Sequence, residues 1–395
     1  MAGRDRISQL PEDILDHILG LLPIQDVAKI AVLSTIWRDL WFTLTQLCFD
    51  CRFFSYFDKK YQYRRHAAKS SALYVINKVL LQHKGTIRKF VIHLTNMGVL
   101  TIKSRSFDFD QWLRLVTCKG VEEVHLYFGH KAYELPHYIV TCSTLKSLYL
   151  HGIAIEASAF HLQGTLPNLT SLYFEDVDFG LTHPPYEVVE VPKLKNLSFK
   201  SCTNVLQFNI TATNLCTLKI KGCFYCKLCN FPTLAPDLIS IRVLDLDYHF
   251  LEVLPPQTAT INVEWLKLSN FRFQDDVRTS AFVSLLRICP KLSRLRIRLL
   301  WREDSQDKID STSGHWKKLH RAVLKLNQLC VLQLSSFNGI RSEMLFIKEM
   351  LASLRALEKV VITCPERRFD GNKKHETLEE VLQFPRASPK AEIVV

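Results

Sequence analysis

From residue 87 onward one pattern, an apolar residue followed by others three and five positions on, recurs in eleven spaced copies and limits what the chain can fold into. The copies are Ile87/Phe90/Ile92, Val121/Val124/Leu126, Leu145/Leu148/Leu150, Leu169/Leu172/Phe174, Leu194/Leu197/Phe199 and Leu215/Leu218/Ile220. They continue as Ile241/Leu244/Leu246, Val263/Leu266/Leu268, Leu292/Leu295/Ile297, Leu329/Leu332/Leu334 and Leu357/Val360/Ile362. From Val121 to Val263 the copies start 24, 24, 25, 21, 26 and 22 residues apart, and later gaps widen to 29, 37 and 28. The last two apolar positions of each copy are two apart, so they share one face of a short strand. A single copy cannot cover that face alone, so neighbouring copies must stack.

The period and pattern are those of leucine-rich repeats, in which each unit gives one short parallel strand. The expected architecture is therefore α/β, an open solenoid with strands on the concave side and helices and turns on the convex side. Breaks precede several strands, as in Cys142-Ser143-Thr144, Leu166-Pro167-Asn168, Val191-Pro192-Lys193 and Cys289-Pro290-Lys291. Where gaps are long, helical spacing is legible: Phe282, Leu285 and Leu286 within 275–288, and Trp316, Leu319, Val323 and Leu326 within 315–326. Residues 343–357 add Leu345, Ile347, Met350, Leu351, Leu354 and Leu357. The tail reads as the cap that an open stack requires.

The amino terminus follows a different rule. Leu10-Pro11-Glu12-Asp13 places a proline and two acids at a helix start, where they fit the helix geometry and dipole. Ile14, Leu15, Ile18, Leu19 and Leu22 follow at helical steps, Pro23 stops the run, and a second helix begins near Gln25-Asp26 with Val27, Ile30 and Ala31 on its apolar side. Trp37, Leu40 and Trp41 come next. About 40 residues cannot bury this much apolar surface alone. The helices therefore either cap a larger core or dock on a partner. Their periodicity is unrelated to that of the repeats, so the two parts are expected to fold separately.

The run Leu10 to Leu15, then Ile18-Leu19, Leu22-Pro23, Asp26-Val27-Ala28, Val32-Leu33-Ser34 and Trp37 to Trp41 resembles a plant-type F-box over residues 5–45. Thr35-Ile36 departs from it, standing where many F-boxes carry basic residues. The resemblance implies a three-helix module that docks on a Skp-type adaptor and, through it, on cullin and RING subunits. By position, the implied docking residues are Leu10, Pro11, Ile14, Ile18, Leu22, Pro23, Val27, Leu33, Trp37 and Trp41. Asn77 to Gly85 and the closing stretch from Phe384 to Val395 are similar to plant F-box/leucine-rich-repeat proteins, the latter to their FBD region. The implied organisation is F-box 1–50, a basic connecting segment with the first repeat 51–120, repeats 121–340 and an FBD-like cap 341–395.

Strand alternation names the residues expected to face outward from the concave side. They are His125, Tyr127, Tyr149, His151 and Tyr173, then Lys200, Lys219 and Lys221, then Asp245 and Asp247, then Trp265 and Lys267, and last Arg294, Arg296 and Arg298. Aromatics and arginines are enriched where proteins bind one another, so these residues are read as a target-binding surface. Three arginines alternating along one strand repel each other. They call for either an anionic partner or neutralisation by Glu303, Asp304 or a neighbouring repeat.

Catalytic and metal motifs are not expected. The sequence has no Gly-x-Gly-x-x-Gly, no phosphate loop and no His-Glu-x-x-His. Cys223, Cys226 and Cys229 give two overlapping Cys-x-x-Cys spacings, with His249 as a possible further ligand but no second pair. Cys202 and Cys223 stand eight positions into their repeats, where leucine-rich repeats favour Asn or Cys. Neither metal nor cofactor is therefore expected.

The net charge of +12 is uneven: residues 52–119 carry fourteen basic and three acidic residues. That excess reads as a solvated surface, with no nucleic-acid partner expected. No stretch of about 18 apolar residues suggests a membrane span, and residues 1–6 do not open a signal peptide. The expected location is nucleus or cytoplasm, with the twelve cysteines reduced. The expected role is a non-catalytic specificity subunit of a ubiquitin ligase, one copy per complex, holding an unidentified target near the charged ubiquitin carrier. A non-degradative adaptor and a receptor for an anionic small ligand are the alternatives.

Overall fold

The computed structural model describes residues 7–61, 64–129, 131–155, 166–180, 189–205, 210–223, 239–251, 260–300, 313–365 and 371–395. Two compact units divide the chain. The first takes the described residues up to Leu194, with those of Ser201–Ile210; the second takes Lys195–Lys200, Thr211–Cys223 and the described residues onward to Val395.

The first unit begins with α1 (Glu12–Gly20), α2 (Ile24–Ile30) and α3 (Thr35–Trp41). Pro11 and Pro23 precede the first two helices, and Ser34 caps the third through the Trp37 N–H. Leu15, Leu19, Ile24, Val27, Ala31 and Leu40 are buried. Strand β1 (Gln46–Phe49) follows at once, ahead of the eleven repeats read from the sequence. Helices α4 (Cys51–Lys60) and α5 (Arg65–Gln82) lead to β2 (Lys89–Leu94), and α6 (Val99–Ser104) with α7 (Ser106–Cys118) leads to β3 (Glu123–Phe128). Then come β4 (Ser147–His151) and β5 (Ser171–Glu175). All five strands pair in parallel in chain order.

The helical module is joined to the first strand by hydrogen bonds. Asp16 on α1 accepts from the Thr45 N–H at 2.9 Å and its hydroxyl at 2.5 Å. The Lys84 N–H donates to the Phe42 carbonyl at 2.8 Å. Buried His83 places Nε2 2.8 Å from the Leu44 carbonyl, and burial holds its pKa down. A Cβ on Gly85 would sit 3.2 Å from the Thr43 backbone, so the two segments touch at main-chain distance.

The second unit carries β6 (Asn196–Lys200), β7 (Thr217–Lys221), β8 (Val243–Asp247), β9 (Trp265–Phe271), β10 (Arg294–Leu299), β11 (Val331–Ser335), β12 (Lys359–Thr363) and β13 (Glu392–Val394). These strands are likewise parallel and in chain order. Helices α8 (Asp276–Ile288), α9 (Ser313–Val323) and α10 (Arg341–Ser353) fill the long gaps, and α11 (Gly371–Leu382) precedes β13. The sequence expectation of helices within 275–288, 315–326 and 343–357 is met with end shifts of a few residues.

Every one of the eleven apolar patterns coincides with a strand, and neither run closes into a barrel. The fold is α/β, an amino-terminal helical module followed by stacked repeats. The core is aromatic at both levels: Phe49, Phe90, Phe109 and Phe128 in the first unit, Phe271, Phe282, Phe337 and Phe346 in the second, all under 2% exposed. Burying a phenylalanine contributes about 1.5–3 kcal/mol, so these layers hold the strands in register.

Candidate functional site

The helical module presents a surface its own chain leaves open. Leu10, Ile14, Leu22 and Leu33 are 39%, 44%, 37% and 74% exposed, Pro11 is exposed, and Ile18, Pro23, Trp37 and Trp41 are half-buried. Ile7, Leu21, Val32 and Ile36 add exposed apolar area that sequence reasoning did not assign. On α1, Leu15 and Leu19 turn inward while Ile14 turns outward; a three-to-four-residue period leaves the inward or outward choice of neighbours open. Val27 is a correction: it is 3% exposed and belongs to the module's own interior, so it has no surface to give a partner. Beside the exposed residues, a cavity of about 650 Å³ is lined by Ala31, Val32, Arg38 and Trp41 from the module and by Val75 and Val79 of α5.

The solvent face of the first unit's sheet is a cluster of rings. Register aligns His93 with Tyr127 and His151, and His125 with Tyr149 and Tyr173. Ring centroids lie 3.8 Å apart for His93 and Tyr127, 4.9 Å for Tyr127 and Tyr149, and 6.2 Å for Tyr149 and Tyr173. Carboxylates stand among them: Glu123 binds His125 Nε2 at 2.8 Å and Lys89 at 2.9 Å, and Glu175 accepts the Tyr149 hydroxyl. Burial pushes the His93 and His125 pKa values down, so both rings favour the neutral form, and it pushes the Tyr127 and Tyr149 hydroxyls up.

The second unit's solvent face is cationic. Lys219, Lys267 and Arg296 fall on one register row and Lys200 aligns with Lys221 on the next, while Arg298 stands beyond a register shift that follows Leu268. The carboxylates read from the sequence as outward-facing are sunk beneath them, a further correction. Asp245 is 3% and Asp247 4% exposed. Asp245 pairs with Lys221 at 2.9 Å, while Asp247 accepts the Gly222 N–H and the Asn270 amide, the latter at 3.3 Å. These bonds run between neighbouring repeats, which one-strand alternation does not reveal.

Arg294, Arg296 and Arg298 are exposed and alternate with buried Leu295, Ile297 and Leu299. Among the described residues no carboxylate lies within ion-pair distance of any of the three. Glu303 and Asp304 lie outside the described residues. Cys202 and Cys223 are buried at their repeat turns, and Cys226 and Cys229 also lie outside the described residues. Among the described residues, no three His, Cys, Asp or Glu side chains are placed to hold a metal ion, and no helix is long and apolar enough to cross a membrane.

An amino-terminal helical module with an open apolar surface, leading directly into stacked parallel repeats, defines the class as an F-box/leucine-rich-repeat protein. Residues 79–337 match the family described as At1g61320/AtMIF1, LRR domain, and residues 7–47 match the F-box domain. The chain belongs to that leucine-rich-repeat family and carries an F-box at its amino-terminal end. It is 26% identical to the F-box/FBD/LRR-repeat protein At1g13570 of Arabidopsis thaliana, over 99% of this chain and 98% of that one. The FBD-associated F-box protein At5g56370 of the same plant is 25% identical over 99% of both chains. The F-box/LRR-repeat protein At3g59200 is 33% identical over 45% of this chain and 32% of that one. These matches support a substrate-recognition role of the general F-box kind and indicate no catalytic domain.

Proposed function

We propose that this protein is the substrate-recognition subunit of an SCF-type E3 ubiquitin ligase. Its F-box docks on a Skp-type adaptor, which joins it to cullin and RING subunits, and its repeats hold a target protein for ubiquitination. The observation that carries the reading is the exposed apolar set Leu10, Ile14, Leu22 and Leu33 on a module whose interior is already filled by Leu15, Leu19, Ile24, Val27, Ala31 and Leu40. Contiguous exposed apolar surface marks a binding site for another macromolecule. The sheet faces supply what target capture needs, rings in the first unit and cations in the second.

The chain contributes no group to the transfer itself. Tethering raises the concentration of target lysines near the ubiquitin thioester, and proximity does the rest. One copy per complex suffices. The setting is nucleus or cytoplasm, where thiols stay reduced.

The test is reconstitution of the full chain with a Skp-type adaptor, cullin and RING subunits, and a target captured from plant extract. Adaptor binding with ubiquitin transfer to the target supports the reading. Adaptor binding with target capture but no transfer leaves a non-degradative adaptor in its place.

A further inference from the structure

We infer that the solvent face of the second unit binds an extended acidic segment of the target protein, rich in Asp or Glu, laid across β7 to β10. This inference rests on the proposed role in target capture and specifies the chemistry that the face selects.

Charge comes first. Lys219, Lys221, Lys267, Arg294, Arg296 and Arg298 share this face, and its two carboxylates are already committed within the sheet. The cations feel one another: burial holds the Lys267 pKa down, Asp245 opposes it, and Lys219, Lys221 and Arg296 each add a smaller lowering. A protein gains no stability from such crowding, and a bound anion would relieve it.

Shape argues for an extended ligand. Adjacent strands stand about 4.8 Å apart, so the row Lys219, Lys267 and Arg296 spreads over roughly 14 Å and converges on no single point. In an extended chain, side chains on one edge recur about every 6.6 Å, a spacing that long lysine and arginine side chains span easily.

Trp265 pre-sets part of the face. The Lys267 ammonium lies 3.5 Å and the Arg294 guanidinium 4.3 Å from its ring. An indole holding two cations limits their rotamers before the ligand arrives, which lowers the entropic cost of binding. Arginine then offers paired N–H donors to each carboxylate.

The probe is a fluorescent peptide of about twelve residues alternating Asp and Ser, titrated into the full chain at two salt concentrations. Binding that weakens with salt is expected. Changing Arg294, Arg296 and Arg298 together to Gln should reduce affinity at least about tenfold, and changing all three to Lys should restore part of it. A circular-dichroism melt of each variant confirms folding, and K267Q, a single change outside the triplet, should weaken binding in the same direction. Equal binding by folded triple-Gln protein, or no binding by the parent, would overturn the inference. So would competition by tripolyphosphate at concentrations well below the peptide's, since that identifies a compact phosphate ligand. Adaptor pull-down from the same samples separates the outcomes: retained adaptor binding with peptide failure removes this inference alone, while loss of both removes the ligase reading as well.

Discussion

Asp16, in the first helix of the F-box, holds both the N–H and the hydroxyl of Thr45, the residue before the first strand of the repeat stack. The boundary between helical module and repeats is thus a hydrogen-bonded seam. Hydrogen bonds to a charged acceptor contribute about 1.5–3 kcal/mol each when partly buried. We expect Asp16→Ala, which removes both bonds, to lower the chain's thermal stability by several degrees, and Thr45→Val, which removes the hydroxyl bond alone, to lower it less. A double-mutant cycle in urea unfolding should show coupling of about 1 kcal/mol or more between them. Additive effects would mean that the bond from the Thr45 hydroxyl to Asp16 carries no energy.

Docking and interior roles separate on α1 and α2. Leu10→Ala with Ile14→Ala should weaken adaptor binding by about 2 kcal/mol, or thirtyfold in Kd, with little change in melting temperature. Val27→Ala should do the reverse. It opens a cavity costing about 1–3 kcal/mol of stability while leaving the docking surface in place. Calorimetric titration of the adaptor alongside a thermal melt checks both, and equal loss of affinity in the two variants would contradict the assignment.

The eleven inner strands are legible because each places two apolar side chains on the core face and the period repeats. Strand β1 is harder to read: Leu44, Leu47 and Phe49 fit the apolar pattern, but they start 43 residues before Ile87, outside the repeat period, and two helices separate β1 from β2. β13 is three residues long, with its core contact reduced to Ile393 and its partner set by the backbone of β12. The candidate surface follows the same division. Alternation finds Tyr127, Tyr149 and Arg296, which depend on one strand. Arg294 over Trp265, or Asp245 under Lys221, depends on register between repeats about 20 to 30 residues apart.

Gly152 tests the turn after β4. Its φ is +65°, and a methyl there would run into the carbonyl oxygen of Phe128, one repeat back. Both conformation and space thus demand glycine. Gly152→Ala should destabilise the chain by about 2 kcal/mol or more, read from chemical denaturation. Stability within 0.5 kcal/mol of the parent, roughly the range of a neutral surface change, would show that the turn can shift.

Glu343 makes the stability of the fold depend on pH. It is 4% exposed in α10, and its Oε2 accepts the N–H groups of Asn338 at 2.8 Å and Gly339 at 3.0 Å. Burial outweighs those bonds and raises its pKa from 4.5 to about 7. The folded state therefore holds this proton more tightly than the unfolded chain does. Its stabilising effect is fully present below about pH 4.5 and is lost as pH rises through about 7. The difference corresponds to at most about 3 kcal/mol. Glu343→Gln keeps an oxygen to accept both N–H groups but cannot ionise. The variant should match the parent near pH 5 and exceed its melting temperature near pH 8. Urea unfolding across pH 5 to 8 measures the gap directly; parallel curves for the two proteins would show that Glu343 is already solvated or paired as a carboxylate.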